Sequence, residues 1–534
     1  MAGKAEPLAQ IPFAFPALSC RLIAMTRSPA IPIAVYAVLA ILLVPVFPHF
    51  PSPNELTRWA LAAAMVEDHS VEVTRLAPML GPGFEDLSEL HGRLYSNKAP
   101  GGALVGLPGY AIARAFAGPP SPGTMRITLN AMRLLAASLP AILLALFFVR
   151  AAKRMEVSTE TTSFAVVALL FGTPLFAYGL LNFSHALTAF ALFAAWYLLF
   201  LAPSSARDVG AGALIGLAVL AEYPCAVPAA VLLAFAIGSR SLPRIILGGA
   251  PFAAMLLGYN RLAFGSWFAI SSGLERSAEF RTMAKSGVFG IGFPKITILV
   301  HLLFDPSKGL LVFSPILLAV PFAWQKTRAA MTKRQFASLV AVPASIILLY
   351  SGYPNWHGGW TVGARYLVAA LPFLAVPLLF MRPSRLLSAA LGISVAACVV
   401  TTLVFPFIPP GVPAPWGTFA LPLMIRGLTA PNLLHWVARP LAVGVPLLLV
   451  AFAAGWSARE RLYVALGAFA ALALALALPV SPALRVQRAF IEQVVFEREG
   501  AIALEAGNEF TVEPMLIRRA EEQRQLLPPP SWPF

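Results

Sequence analysis

Charged residues are scarce in this chain of 534 residues: Asp, Glu, Lys and Arg together make up 12%, about half of the roughly 25% usual in soluble domains. With 58% hydrophobic residues and a mean hydropathy of +0.76, that scarcity excludes a soluble globular protein, which could not hide so much apolar surface. Cysteine is almost absent. Cys20, Cys225 and Cys398 lie far apart and show no metal-ligand spacing, so neither a disulfide nor a cysteine-based metal site is predicted. Phosphate-cradling glycine motifs are missing as well. There is no G-x-x-x-x-G-K-[ST] and no strand-borne G-x-G-x-x-G, which disfavours a nucleotide-sugar enzyme or an ATP-driven pump.

What is present is a succession of apolar runs of about 20 residues from Ile31 to Val480, each long enough to cross a bilayer as a helix. The runs are continuous and do not alternate, so helices are expected, not a barrel. The net charge of +15 sits in short loops between the runs, the pattern of membrane topology and not of nucleic-acid binding. Arg150, Lys153 and Arg154, Arg207, Arg240–Arg244, Lys326–Arg334, Arg382–Arg385 and Arg459–Arg461 mark cytoplasmic loops. The fold class expected is an all-α polytopic membrane protein with about thirteen transmembrane helices, at 31–50, 127–149, 161–181, 184–202, 209–223, 225–239, 244–263, 309–324, 336–352, 365–381, 386–407, 437–456 and 462–480. The topology rule places residues 1–30 in the cytoplasm and the tail 481–534 outside. Within that tail, Arg485–Glu499 reads as an amphipathic helix and Leu527–Phe534 as disordered. Pro100–Ala117 is apolar but broken by Gly and Pro, and a full span there would put Arg150–Arg154 outside. It is therefore expected to lie along the outer interface as a juxtamembrane helix.

The chemistry gathers on the outer side, in loops 51–126 and 260–308. The first carries seven acids, Glu55, Glu67, Asp68, Glu72, Glu85, Asp86 and Glu89, against four bases, Arg58, Arg75, Arg93 and Lys98, up to residue 98. The second carries Arg261, Arg276, Arg281, Lys285, Lys295 and Lys308, against the usual bias of basic residues to the inside. A phosphate-bearing lipid headgroup would account for them; so would snorkelling anchors, or pairing with Glu275, Glu279 and Asp305. His185 opens one span, Glu222 and Tyr223 close another, and Arg365 opens a third, following Trp356-His357-Gly358-Gly359-Trp360. Tyr95-Ser96-Asn97-Lys98-Ala99-Pro100-Gly101 is the sharpest local string, a turn with Lys98 facing headgroups.

This layout resembles the GT-C superfamily of membrane glycosyltransferases, above all the bacterial lipid A aminoarabinose transferases and the protein O-mannosyltransferases. Those enzymes carry an acidic residue after the first span, where this chain has Asn54-Glu55. The Lys-Ala-Pro string that contacts carrier-lipid phosphate in the aminoarabinose transferases is similar to Lys98-Ala99-Pro100 here. Two positions depart from the pattern: Asn54 stands where an Asp is expected, and His185 in Asn182-Phe183-Ser184-His185 stands where a second acid is expected. The resemblance implies a bacterial inner-membrane enzyme that moves a sugar from a polyprenyl-phosphate donor to a glycan, lipid or protein acceptor. Glu55 would be the general base, and Lys98, Arg58, Asp86, His185, Tyr95, Lys308, His357 and Arg365 would bind substrate. No cofactor is identified, and a divalent-metal requirement is left open. A lipid transporter or flippase, or a non-catalytic assembly protein on the same scaffold, are the alternatives. A transporter predicts charged or broken helices near the midplane, whereas here charge concentrates at one face.

Overall fold

The computed structural model describes residues 27–44, 52–80, 84–285, 287 and 290–492. The apolar runs form helices α1 (Ala30–Leu43), α4 (Gly123–Arg154), α5 (Thr159–Phe171), α6 (His185–Leu201), α7 (Ser205–Ala221), α8 (Tyr223–Ala234), α9 (Leu242–Phe264), α10 (Lys333–Tyr350), α11 (Arg365–Phe380), α12 (Arg385–Val404), α13 (Trp416–Ile425), α14 (Pro440–Ser457) and α15 (Arg461–Ala477). Of these, α4, α9, α12 and α14 are long and apolar enough to cross a membrane, and α1, α5, α6, α8, α11, α13 and α15 are shorter apolar helices. Several starts are set by side-chain caps: Ser158, Ser204 and Ser384 each accept a bond from a first-turn amide, and Thr332 with Gln335 makes a capping box. These bonds satisfy donors that an α-helix leaves unpaired.

Two more helices, α2 (Pro53–Glu67) and α3 (Gly101–Ala117), stand apart from the bundle of apolar helices. With the first turns of α4, the end of α9 and the segment 73–95, they enclose a second apolar core around Trp59, Leu87, Tyr95, Tyr110, Met132 and Phe264. The α3 helix is tied to α2 by Arg114, which donates two hydrogen bonds to Glu67, with Tyr110 donating a third. This layer is a cap on one end of the bundle. The α7 helix crosses from the cap to the basic loops: Glu222 follows its last residue and Arg207 lies in its first turn, and 17 residues span about 25 Å at 1.5 Å each.

Three features depart from the sequence reading. The fold is not wholly helical: β1 (Leu87–Leu90) and β2 (Arg93–Ser96) pair antiparallel through a two-residue turn in which His91 and Gly92 both have positive φ. That geometry is the tight hairpin turn whose twist matches the strands. Residues 309–324 are not one helix but short helical pieces, Leu310–Phe313, Pro315–Ala319 and Val320–Ala329, interrupted where Pro315 removes an amide donor. The apolar helix α13 was not among the expected spans. In the tail, a helix covers Pro482–Ile491; the rest of the expected 485–499 helix, the 527–534 segment and Cys20 lie outside the described residues, and Cys225 and Cys398 are buried free thiols.

Candidate active site in the cap

The site is built where the cap meets the bundle. Pro53 begins α2 and the chain before it is extended at Ser52, so Glu55 and Arg58 fall in the first two turns. They face different neighbours. Glu55 has no exposed surface and forms a two-pronged ion pair with Arg133 of α4, at 2.8 Å from Nε to Oε1 and 2.7 Å from Nη2 to Oε2. Its Oε1 also accepts from the Asn182 amide at 2.8 Å, and Arg133 Nη1 donates to the Val44 carbonyl beyond α1. The geometry therefore gives Glu55 a structural partner on each oxygen and no open side for a substrate.

Arg58, one turn on, reaches the site. Its Nη1 donates to the Asn54 carbonyl, its Nη2 to the Phe183 carbonyl and its Nε to Ser184 Oγ, while Nη2 lies 4.0 Å from Glu222 Oε1. Ser184 has φ +68°, an uncommon conformation for a residue with a Cβ. It precedes α6 and turns the chain so that His185 meets Glu222, with Nδ1 3.0 Å from Oε1. Gly101 and Gly102 make this convergence sterically feasible. A Cβ on Gly101 would collide with the Ala221 backbone, and one on Gly102 with Ser184 Oγ and Arg58. The two glycines, read from sequence as a turn, are the first residues of α3, packed against α7 and α2.

Arg365 closes the far side. Its guanidinium bonds the Tyr366 hydroxyl at 2.8 Å and lies over the rings of Tyr366 and Phe183. Tyr366 stacks on Tyr350 and is edge-on to His185. Among the described residues Arg365 makes no carboxylate pair, and its buried Nε has no hydrogen-bond partner. It is nonetheless within electrostatic reach of Asp86 and Glu222. His185, Glu222, Tyr350 and Tyr366 line a small cavity here with Thr188 and Cys225.

Asp86 and Lys98 bracket the hairpin and meet at its base. Lys98 Nζ bonds Asp86 Oδ1 at 2.7 Å. The amide nitrogen of Asn97 donates both to Asp86, at 2.5 Å, and to Glu275 Oε2, at 2.8 Å. Burial would raise the Asp86 carboxyl, but the Lys98 ammonium and the Asn97 bond hold it below its ordinary value. Glu275 is pushed up to about 7, chiefly by burial, against the opposing charge of Lys98 and with a smaller upward push from the charge of Asp86. The segment carrying Glu275 is clasped to the hairpin: Ser88 and Glu275 form a bridge, the Arg276 amide donates to Leu87, and Ser271 Oγ donates to the Asn97 carbonyl.

The fold thus brings Arg58, Asp86, Lys98, His185 and Arg365 into one region, and gives the other sequence candidates partners of their own. Tyr95 packs in the second core, its ring 5.7 Å from Phe264. Lys308 is buried and its Nζ donates to the carbonyls of Thr361 and Ile408, pinning the loop that leads to Arg365. His357 Nδ1 accepts from the Gly359 amide, and burial with the nearby charges of Lys308 and Arg365 pushes it down to about 4. Glu222, Glu275, Asn97 and Tyr366 are the additions. Of these, sequence had marked Glu222 as a span end and Glu275 only as a counter-ion for nearby bases; Asn97 stood in the quoted string beside Lys98.

Neither a protein-family model nor a curated protein matches the chain. Among solved structures, ArnT from Cupriavidus metallidurans, in its crystal structure bound to undecaprenyl phosphate, aligns over 82% of this chain and 76% of that one, at 18% identity and a TM-score of 0.42.

Proposed function

We propose that this protein is a membrane glycosyltransferase that takes a sugar from a polyprenyl-phosphate carrier and passes it to an acceptor hydroxyl at the cap end of the bundle, outside the cytoplasm. The observation that carries the reading is the surplus of cations at the site. Arg58, Lys98 and Arg365 converge there against Asp86 and Glu222, with Glu275 raised toward neutrality, and Arg365 has no carboxylate of its own among the described residues. A phosphate monoester or diester is the ligand such a surplus stabilises, through charge-assisted hydrogen bonds. Guanidinium groups suit it by their paired donors.

The chemistry follows from the groups around it. The acceptor oxygen attacks the anomeric carbon, the bond from that carbon to the phosphate oxygen breaks, and the electron pair leaves with the polyprenyl phosphate. Lys98 and Arg365 stabilise the charge that develops on the departing phosphate. The acceptor proton needs a base. We assign it to His185, whose Nδ1 is held by Glu222 and whose Nε2 has no hydrogen-bond partner among the described residues. A carboxylate that orients an imidazole in this way leaves the second nitrogen free to take a proton. Glu55, the base implied by family resemblance, is instead given the task of holding α2 to α4.

The test is turnover of polyprenyl-phosphate sugars by the purified full-length protein in lipid nanodiscs, with a panel of glycan, lipid and peptide acceptors. Release of free polyprenyl phosphate with transfer of the sugar supports the reading. Binding of the carrier lipid without turnover on any acceptor favours a flippase or an assembly protein, and no binding of any polyprenyl phosphate removes the reading altogether.

A further inference from the structure

We infer that Asp86, Asn97 and Glu275 form a subsite for the glycosyl group itself, with Lys98 marking its boundary with the phosphate. The inference rests on the function proposed above and adds to it the part of the donor that those three side chains recognise. Asn97 is the pivot. It is 5% exposed, and its amide nitrogen uses both hydrogens, one on Asp86 and one on Glu275. Its amide oxygen is buried and has no hydrogen-bond partner among the described residues. A buried carbonyl oxygen left without a donor is costly, and one beside two carboxyl groups asks for a ligand that brings hydrogen-bond donors.

The chemistry of the cluster narrows the ligand. Asp86 offers acceptor oxygens only, because the Lys98 ammonium keeps it ionised. Glu275, at 8% exposure, has a single side-chain hydrogen-bond partner among the described residues, Asn97, and takes up a proton near neutrality, so it donates as well as accepts. A set that is rich in acceptors with one group able to do both matches vicinal hydroxyls, each of which donates once and accepts twice. A carrier lipid without its sugar offers nothing to it. The order along the chain supports the division: Asn97 and Lys98 are adjacent at the end of β2, so a ligand whose phosphate meets Lys98 has its next group within reach of Asn97. Glu275 arrives from a segment 178 residues away in sequence, and the clasp of Ser88 and Ser271 fixes that arrival.

The experiment compares two probes on the same protein: bare polyprenyl phosphate, and a panel of polyprenyl-phosphate pentoses and hexoses, by equilibrium binding in nanodiscs. The wild type should bind at least one glycosylated lipid more tightly than the bare lipid. Asn97→Ala and Glu275→Ala should each lose roughly tenfold in affinity for that glycosylated lipid, the scale of one hydrogen bond involving a charged group, and keep their affinity for the bare lipid. Lys98→Ala should weaken both. Should the alanine variants unfold, Glu275→Gln keeps the shape and removes the proton exchange, and the sugar-dependent part of its affinity should fall while the bare-lipid part holds. Equal affinity of the wild type for all lipids, or equal losses on both probes, overturns the subsite and leaves the phosphate site standing. Failure of the wild type to bind either probe removes the functional reading and this inference with it.

Discussion

Glu55 and Arg133, 78 residues apart in sequence, share two hydrogen bonds of 2.8 and 2.7 Å with no solvent access to either side chain. The pair joins the cap helix α2 to α4, and through Arg133 Nη1 it reaches the end of α1. Removing one partner leaves the other charge buried, which costs about 3–5 kcal/mol, whereas replacing both by apolar groups is often close to neutral. Glu55→Gln should therefore lower stability by that order, and Glu55→Leu with Arg133→Leu should recover most of it. Thermal unfolding of the purified protein checks this. A soluble, fully stable Glu55→Gln protein without turnover would return Glu55 to the chemistry.

His185 and Glu222 are expected to act as a unit in proton transfer. His185→Gln should lower turnover by about 10²–10⁴-fold, the usual cost of losing a general base, with carrier-lipid binding kept. Glu222→Gln should lower it by less, since the imidazole survives but loses its orienting charge. Single-turnover kinetics with binding measured in parallel separate the two effects; a fall in lipid affinity as large as the fall in rate would count against the assignment.

Arg365 is held by the Tyr366 hydroxyl and the rings of Tyr366 and Phe183, and among the described residues it has no carboxylate partner. Arg365→Gln should weaken binding of bare polyprenyl phosphate by about tenfold or more, the scale of a charge-assisted hydrogen bond, with a small effect on stability. Gly358 has φ +69°, and a Cβ there would collide with Arg365 Nε. Gly358→Ala should accordingly reproduce the Arg365→Gln defect with the guanidinium still present. Normal lipid affinity in Gly358→Ala would show that the side chain adjusts without loss.

Two groups near the site link stability to pH with opposite signs. Glu275 is raised from 4.5 to about 7, so the folded state holds its proton more firmly than the unfolded chain. Its contribution is fully present below about pH 4.5 and is lost as pH rises through 7. His357 is lowered from 6.5 to about 4, so the folded state prefers it neutral, and its contribution is present above pH 6.5 and is lost as pH falls through 4. Unfolding midpoints from pH 4 to 8 should show the alkaline slope flattened in Glu275→Gln and the acid slope flattened in His357→Gln. Slopes unchanged by either substitution would contradict the assignments.

Lys308 donates to the Thr361 and Ile408 carbonyls and is 1% exposed. Lys308→Met keeps much of its length and leaves both carbonyls without that donor. It should destabilise the protein by about 1–3 kcal/mol, the cost of buried groups left unpaired, and affect lipid binding only through the loop before Arg365. A stable Lys308→Met protein with phosphate affinity lost would place Lys308 in contact with the ligand.

The sequence alone determined what depends on composition and on neighbours along the chain. Run lengths mark the helices, because apolar length is a local property. The order of acids and bases around Arg58, Asp86, Lys98, His185 and Arg365 pointed to one region, because polar groups beside apolar runs collect at helix ends. What the tertiary structure decided is which charge meets which. Glu55 and Arg58 sit one turn apart on α2, yet one is closed by Arg133 and the other opens toward Glu222. Lys308, indistinguishable in sequence from a headgroup-binding lysine, is drawn inside by two carbonyls. Glu275 meets Asn97 across 178 residues, and through it Asp86, only because the clasp of Ser88 and Ser271 seats its segment on the hairpin. In a chain with few charges, a side chain's role follows from its partner and its exposure to water, and both are fixed by packing between segments distant in sequence.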